Sequence, residues 1–412
     1  MSADSASTDS LRRHPAYVRY WFARVASGFA FQMLSVAAGW QIYDLTHRAF
    51  DLGLIGLVQF LPSLLLVLPA GHLADHYDRR RIVRVCVAVE CVAIGLLAVA
   101  SARAEFGEGA ILATLFAIGV ARAVEFPTAM ALAPALVPAA LFPRAAAAGA
   151  AAAQTAMIVG PALGGFAYVA GAHVVYGLAA LLFFAAALLV STIRYERPPA
   201  PREPPTLRSL FAGVTFMRRQ PVVLGAISLD LFAVLLGGAT ALLPVFARDI
   251  LHTGPWGLGL LRAAPAAGAL TMSLWLARRA LERRVGPVMF ASVAGFGVAT
   301  LVFALSTSFV LSLAALFALG ALDMISMVIR GALVQLETPD AMRGRVSAIN
   351  AIFINTSNQL GEFESGMTAA WFGTVPSVLI GGVGTLVVVA LWMWWFPALR
   401  SRDQLHAPNA AF

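Results

Sequence analysis

Apolar residues run along this chain in long blocks separated by short polar connections, and most blocks are too long for strands. Twelve of them reach about 20 residues, the length a helix needs to cross roughly 30 Å of hydrocarbon. They lie at approximately 18–45, 52–74, 82–101, 109–136, 144–170, 172–193, 222–249, 255–277, 286–306, 309–336, 346–371 and 375–397. The pattern predicts an all-α membrane protein of twelve transmembrane helices. Residues 195–210 carry five prolines and several charges, the composition of an extended linker. The expected organisation is therefore a tail (1–17), a six-helix bundle (18–193), a linker (194–221), a second bundle (222–397) and a C-terminal tail (398–412). Phe211 to Arg219 reads as a short amphipathic helix at the membrane surface.

Composition sharpens this. Sixty per cent of residues are hydrophobic, twelve per cent are charged, and the mean hydropathy is +0.80, more apolar surface than a water-soluble protein can hide. The net charge of +8 comes from arginines clustered beside apolar blocks, so it reads as a topology signal and not as a nucleic-acid footprint. Arg12, Arg13, Arg19, Arg79 to Arg84, Arg194 to Arg219, Arg278 to Arg284, Arg343, Arg345, Arg400 and Arg402 fall on one side. The opposite connections, such as Gly171-Ala172-His173 and Ser306-Thr307-Ser308, are nearly neutral. The positive-inside rule then puts both termini in the cytoplasm. The first ten residues are polar with no basic region before the first block, so no cleaved leader is expected. Cys86 and Cys91, five apart, fall on different helix faces and read as packing residues, with no disulfide and no metal site. His72 and His76 flank Asp75, but interface packing explains them better than a metal does.

The two halves repeat. Phe50-Asp51-Leu52-Gly53-Leu54-Ile55 returns 206 residues later as Trp256-Gly257-Leu258-Gly259-Leu260-Leu261. Pro138, Leu141, Arg144 and Ala147 return 201 residues later as Pro339, Met342, Arg345 and Ala348. At that offset Gly119, Gly160 and Gly165 meet Gly320, Gly361 and Gly366. Order and near-constant offset point to a duplicated six-helix unit. Charges inside the blocks follow the duplication: Arg24 corresponds to Asp230, and Arg122 to Asp323. Each such charge costs at least about 2.5 kcal/mol to insert, so each needs a partner, a wet cavity or a function. Glu125 stands one turn after Arg122 and can neutralise it, and Arg330, two turns after Asp323, can do the same there. Glu362 and Glu364 are hard to explain by packing, and a carboxylate at that depth can carry a proton or meet a substrate. No nucleophile, zinc-hydrolase or phosphate-loop motif occurs, and no enzyme activity or cofactor is expected.

Between the second and third blocks lies Gly71-His72-Leu73-Ala74-Asp75-His76-Tyr77-Asp78-Arg79-Arg80-Arg81. This segment resembles the loop between helices 2 and 3 of the major facilitator superfamily, with His76 at the usual Arg and Asp78 at the usual Gly. Ala156-x-x-x-Gly160-Pro161-x-x-Gly164-Gly165 resembles the fifth-helix signature of the drug and proton antiporters, with Ala at its first Gly. Gly39 to Thr46, Leu260 to Pro265 and Thr338 to Val346 look like the bacterial branch that contains the enterobactin exporter and macrolide efflux proteins.

The resemblance covers essentially the whole chain. It implies two pseudo-symmetric six-helix bundles with a substrate site between them, in a bacterial inner-membrane monomer that exports a small amphipathic molecule against protons. Helices 1, 4, 7 and 10 line the cavity in this superfamily, which implies substrate or proton roles for Arg24, Arg122, Asp230 and Asp323. The arginines, with Arg262, would suit an anionic or catecholate group; Asp230, Asp323 and Glu362 would suit a cation or protons. Helix 3 is peripheral, so Glu90 reads as lipid-edge packing or a local hydrogen bond. Asp75, with Gly71 and Arg79 to Arg81, reads as a cytoplasmic latch that meets Arg343 and Arg345. An uptake symporter or a lysolipid flippase would share the fold, and a membrane sensor or enzyme would need a constellation that the sequence lacks.

Overall fold

The structure is a computed structural model that describes residues 10–103, 107–195, 215–279 and 283–405. Every described element is helical. All twelve apolar blocks carry helix: α1 (Pro15–Thr46), α2 (Ala49–Leu65), α3 (Val67–His76), α4 (Arg79–Arg103), α5 (Glu108–Leu132), α6 (Phe142–Tyr168), α7 (Ala172–Ser191), α8 (Pro221–Leu236), α9 (Pro255–Arg278), α10 (Val285–Leu305), α11 (Phe309–Leu336), α12 (Asp340–Phe372) and α13 (Thr374–Trp395). Among the described residues nine helices are both long and apolar enough to cross a membrane. α1 and α12 are long enough but carry several charges, and α2 has 17 residues. Of the expected surface helix, residues 215–219 are helical and 211–214 lie outside the described residues.

Two blocks are broken where an unbroken helix is expected. The second divides into α2 and α3 at Leu66, four residues after Pro62, which lacks an N–H and crowds the preceding turn. The seventh ends α8 at Gly237 and continues as a 3-10 turn, Ala239–Leu242, and a π-turn, Phe246–Ile250. The cause is a close approach: a Cβ on Gly238 would stand 2.3 Å from the carbonyl oxygen of Gly361 on α12, so only glycine fits.

The chain divides into two compact units. Unit 1 comprises 1–46, 58–204 and 254–259; unit 2 comprises 47–57, 205–253 and 260–412. In unit 1, α1 packs on α6 and α7, and α4 on α5 and α7. Amphipathic side chains fasten it: Tyr17 and Tyr20 donate to the carbonyls of Ala145 (2.7 Å) and Ala129 (2.9 Å), and Tyr176 donates to Gln41 Oε1 at 2.5 Å. Its outward faces are apolar, with Leu96 and Leu181 each more than 60 % exposed, while charged Glu90 and Glu125 are fully enclosed. That inversion suits a lipid solvent, where burial sorts polar groups inward. In unit 2, Leu229 and Ala233 of α8, Met289 and Val293 of α10, Ile329 and Leu333 of α11, and Val388 and Trp392 of α13 form one core.

Candidate functional site

Unit 1 holds a set of four charges in its interior. Arg24 of α1 forms a hydrogen-bonded ion pair with Glu125 of α5. Arg122, one turn earlier on α5, turns away from Glu125; its NH1 lies 3.9 Å from Oε1 of Glu90 on α4. Its guanidinium carbon sits 3.8 Å from the centroid of the Phe31 ring, a cation–π contact. The expected local neutralisation of Arg122 by Glu125 gives way to two inter-helix pairs, because Glu125 is taken by Arg24. Glu90 differs most from expectation. It is 0 % exposed, inside unit 1, and neither of its oxygens has a hydrogen-bond partner.

Unit 2 holds a second set. Asp230 of α8 is ion-paired with Arg330 of α11, both nearly fully buried. Arg330 therefore answers Asp230 and not, as spacing suggested, Asp323. Asp323 faces a water-sized cavity of about 10 Å³ lined also by Asp230, Ala233, Val234, Val293, Phe296 and Ser326. The Ser326 hydroxyl is buried there without a partner. On α12, Glu362 packs where Gly56 of α2 has no side chain, 2.8 Å from the place of a Cβ, and Arg262 is the charge that acts on it. Glu364 accepts a 2.7 Å hydrogen bond from Thr368 one turn on.

The fifth-block signature acts through close helix contact. A Cβ on Gly160 would meet Gln32 at 2.6 Å, one on Gly164 would meet the Met33 backbone at 2.8 Å, and one on Gly165 the Pro255 carbonyl at 2.5 Å. The carbonyl of Pro161 lies as close to Gly259, at 2.5 Å from the place of its Cβ. Gly366, the repeat partner of Gly165, meets Gly53, the partner of Gly259, with a Cβ-to-Cα approach of 2.5 Å. The duplication read from the sequence thus recurs as matched glycine contacts, one within each unit.

At the basic loop Asp78 caps α4, accepting from the backbone N–H of Arg80 (2.9 Å) and Arg81 (3.4 Å), and Tyr195 donates to it at 3.3 Å. Burial and then the Asp78 charge push the Tyr195 phenol above its usual pKa. Arg79 donates to the carbonyls of Ala74 and Ala131, each at 3.0 Å, and Arg80 and Arg19 donate to those of Ile193 and Thr192, each at 2.7 Å. Cations there satisfy the orphan carbonyls at the ends of α5 and α7. Arg81 lies 3.5 Å from Asp78, Gly71 has open space around its Cα, and Arg343 is exposed. The side chains of Asp75 and Arg345 lie outside the described residues. His72 and His76 stack at 4.0 Å, and no cluster of three metal-ligating side chains occurs among the described residues.

Sequence reasoning missed Glu90 and the capping role of Asp78. The signal for Glu90 was present, a lone carboxylate in mid-block, but the peripheral position of its helix argued it away. Asp78 followed directly by a helix start is an N-cap pattern that the motif comparison obscured.

The family profile described as Major Facilitator Superfamily matches residues 20–361. The enterobactin exporter of Citrobacter koseri is 29 % identical over 408 residues, covering 97 % of both chains, and that of Escherichia coli is 28 % identical over 396, covering 95 % of this chain and 94 % of its own. Among solved structures, a bacterial homolog of the human lysosomal transporter Spinster, inward-facing and unoccupied, has a TM-score of 0.75 at 14 % identity, covering 97 % of this chain and 100 % of its own. A D-xylose–proton symporter has a TM-score of 0.70 at 14 % identity, covering 94 % of this chain and 99 % of its own.

Proposed function

The chain belongs to the major facilitator superfamily, and we propose that it is a bacterial inner-membrane exporter of a small amphipathic aromatic molecule, of the siderophore or drug-like class, that exchanges its substrate against protons. It is a membrane transporter and not an enzyme. The observation that carries export is the full-length similarity to enterobactin exporters, 29 % over 97 % of both chains. Proton exchange is supported by carboxylates enclosed in the apolar interior, Glu90 and Glu125 in unit 1 and Asp230 in unit 2, and by Asp323 at the small cavity beside Asp230. Such groups are costly to insert and are kept where they move protons or meet substrate. In this reading the two halves alternate access, the loop from Gly71 to Arg81 biases which side is open, and the protein works as a monomer with both termini cytoplasmic.

Reconstitution tests this. In proteoliposomes with an imposed proton gradient, enterobactin, a macrolide and a labelled lysolipid are compared for uphill movement and for counterflow. Gradient-driven movement of enterobactin or the macrolide supports the reading. Movement of lysolipid alone, or accumulation in the direction of proton flow, replaces it with flippase or symporter activity.

A further inference from the structure

We propose that Glu90 is the carboxylate of unit 1 at which proton and substrate exclude each other, with Arg122 as the group through which a bound substrate senses its state. The proposal rests on the reading of the protein as a proton-exchanging exporter. The four charges Arg24, Arg122, Glu90 and Glu125 sum to zero, so the set is electrostatically balanced. Its hydrogen bonding is not. Glu90 Oε1, Glu90 Oε2 and Glu125 Oε2 are buried acceptors without a donor, against a single donor without an acceptor, NH1 of Arg122. At 3.9 Å, Arg122 and Glu90 attract each other without a hydrogen bond. Buried acceptors in this condition are expensive, so the set is short of donors and gains from whatever brings one.

Two things can bring a donor. One is a proton: an O–H bond forms on Glu90, the proton comes from water, and the set becomes +1 with Arg122 released. The other is a ligand that carries O–H or N–H groups on an aromatic ring. One face of the Arg122 guanidinium is covered by Phe31, and its side chain is 24 % exposed, so a ring can stack on it while the ring's donors reach the carboxylate oxygens as Arg122 yields. Ligand binding displaces one proton from Glu90, and acidification displaces the ligand. That mutual exclusion is what exchange transport needs. An anionic ligand fails this test, because it would face three unsatisfied acceptors with only one free donor.

The charges that act on Glu90 are Arg122 and Glu125 of α5 and Arg24 of α1; Tyr20 stands beside Arg24, and Cys86 lies one turn away on its own helix. From α7, which also packs on α4, the titratable residues are His173, at its first turn, and Tyr176, whose hydroxyl is held by Gln41.

The experiment is equilibrium binding of enterobactin to the purified full-length protein across neutral pH, with proton release measured in weak buffer. Wild type should weaken on acidification, approaching about tenfold per pH unit below the midpoint, and release a proton on binding. Glu90→Gln should bind with a flat pH profile and release none. Should Glu90→Gln fold poorly, Glu90→Gln with Arg122→Gln restores neutrality; it loses the stacking guanidinium, so its affinity should fall, what binding remains should show the same flat profile, and where none remains its infrared spectrum should lack the protonated-carboxyl band that wild type gains on acidification. A wild-type pH slope or proton release retained in either variant overturns the proposal. Wild type that binds no enterobactin at any pH defeats the proposed substrate instead. In that case infrared titration decides Glu90: a protonated-carboxyl band gained on acidification must be present in wild type and missing in Glu90→Gln, and identical spectra overturn it.

Discussion

Asp230 and Arg330 meet side by side with almost no access to solvent, and the energetics of such a pair are asymmetric. Removing one partner strands the other charge in a low-dielectric interior, at a cost of about 3–5 kcal/mol, whereas neutralising both removes the penalty with the attraction. Arg330→Met or Asp230→Asn alone should therefore cut the yield of folded protein and its thermal stability sharply, and the double variant should recover most of both. Thermal unfolding in detergent measures it, and additive losses would show that the two residues do not act as a pair. Asp323 is a different case, since no ion pair is formed by it among the described residues and it faces a water-sized cavity beside Asp230. Its neutralisation strands nothing. Asp323→Asn should leave expression near wild type and lower uphill transport by an order of magnitude or more. Parallel losses in both would make it a structural residue.

Helix ends were harder to read than helices. At the start of α4 the carboxylate of Asp78 accepts from two backbone N–H groups, and caps of this kind contribute about 1 kcal/mol. Asp78→Ala should lose about that amount, while Asp78→Gly, the residue usual in the related loop, should lose only a few tenths, because glycine leaves the exposed N–H groups to water. Comparing apparent melting temperatures of the two variants tests the cap, and equal losses would refute it. All twelve apolar blocks carry helix, because that signal is local in sequence. The break after α8 was not local; Gly238 there meets the carbonyl of Gly361, more than a hundred residues on. Charge pairing was equally hidden. The repeat alignment set Arg24 against Asp230, yet Arg24 is paired with Glu125 and Asp230 with Arg330, each within its own unit. Spacing along one helix places a residue on a face, but which neighbour covers that face is settled by packing. Glu90 was misjudged for that reason: a mid-block carboxylate looks the same in sequence whether it faces lipid or an arginine.

Orientation belongs to the whole molecule, and the arginines supply the expectation for it. They cost least on the cytoplasmic side, where anionic lipids attract them, and their clusters alternate with nearly neutral loops along the chain. Arg19, Arg79 and Arg80 are also built into the fold, bound to carbonyls at the ends of α5 and α7 in unit 1, so that face carries both the topological signal and part of the stability. Reversing the molecule would move these cations and the linker across the bilayer together. The expectation is that residue 209, in the linker, lies inside and residue 308, between α10 and α11, lies outside. Cys86 is buried and Cys91 partly so, and replacing both by alanine gives a background free of thiols. Into it a single cysteine is introduced by Ser209→Cys or Ser308→Cys, and intact cells are treated with a thiol reagent that does not cross membranes. Ser308→Cys should label in intact cells, and Ser209→Cys only after the cells are opened. Labelling of Ser209→Cys alone in intact cells would place the termini outside and turn the basic loop at Arg79 to Arg81 to the periplasm. Export and its proposed proton exchange would then need rewriting, because substrate would enter the cycle from the opposite face.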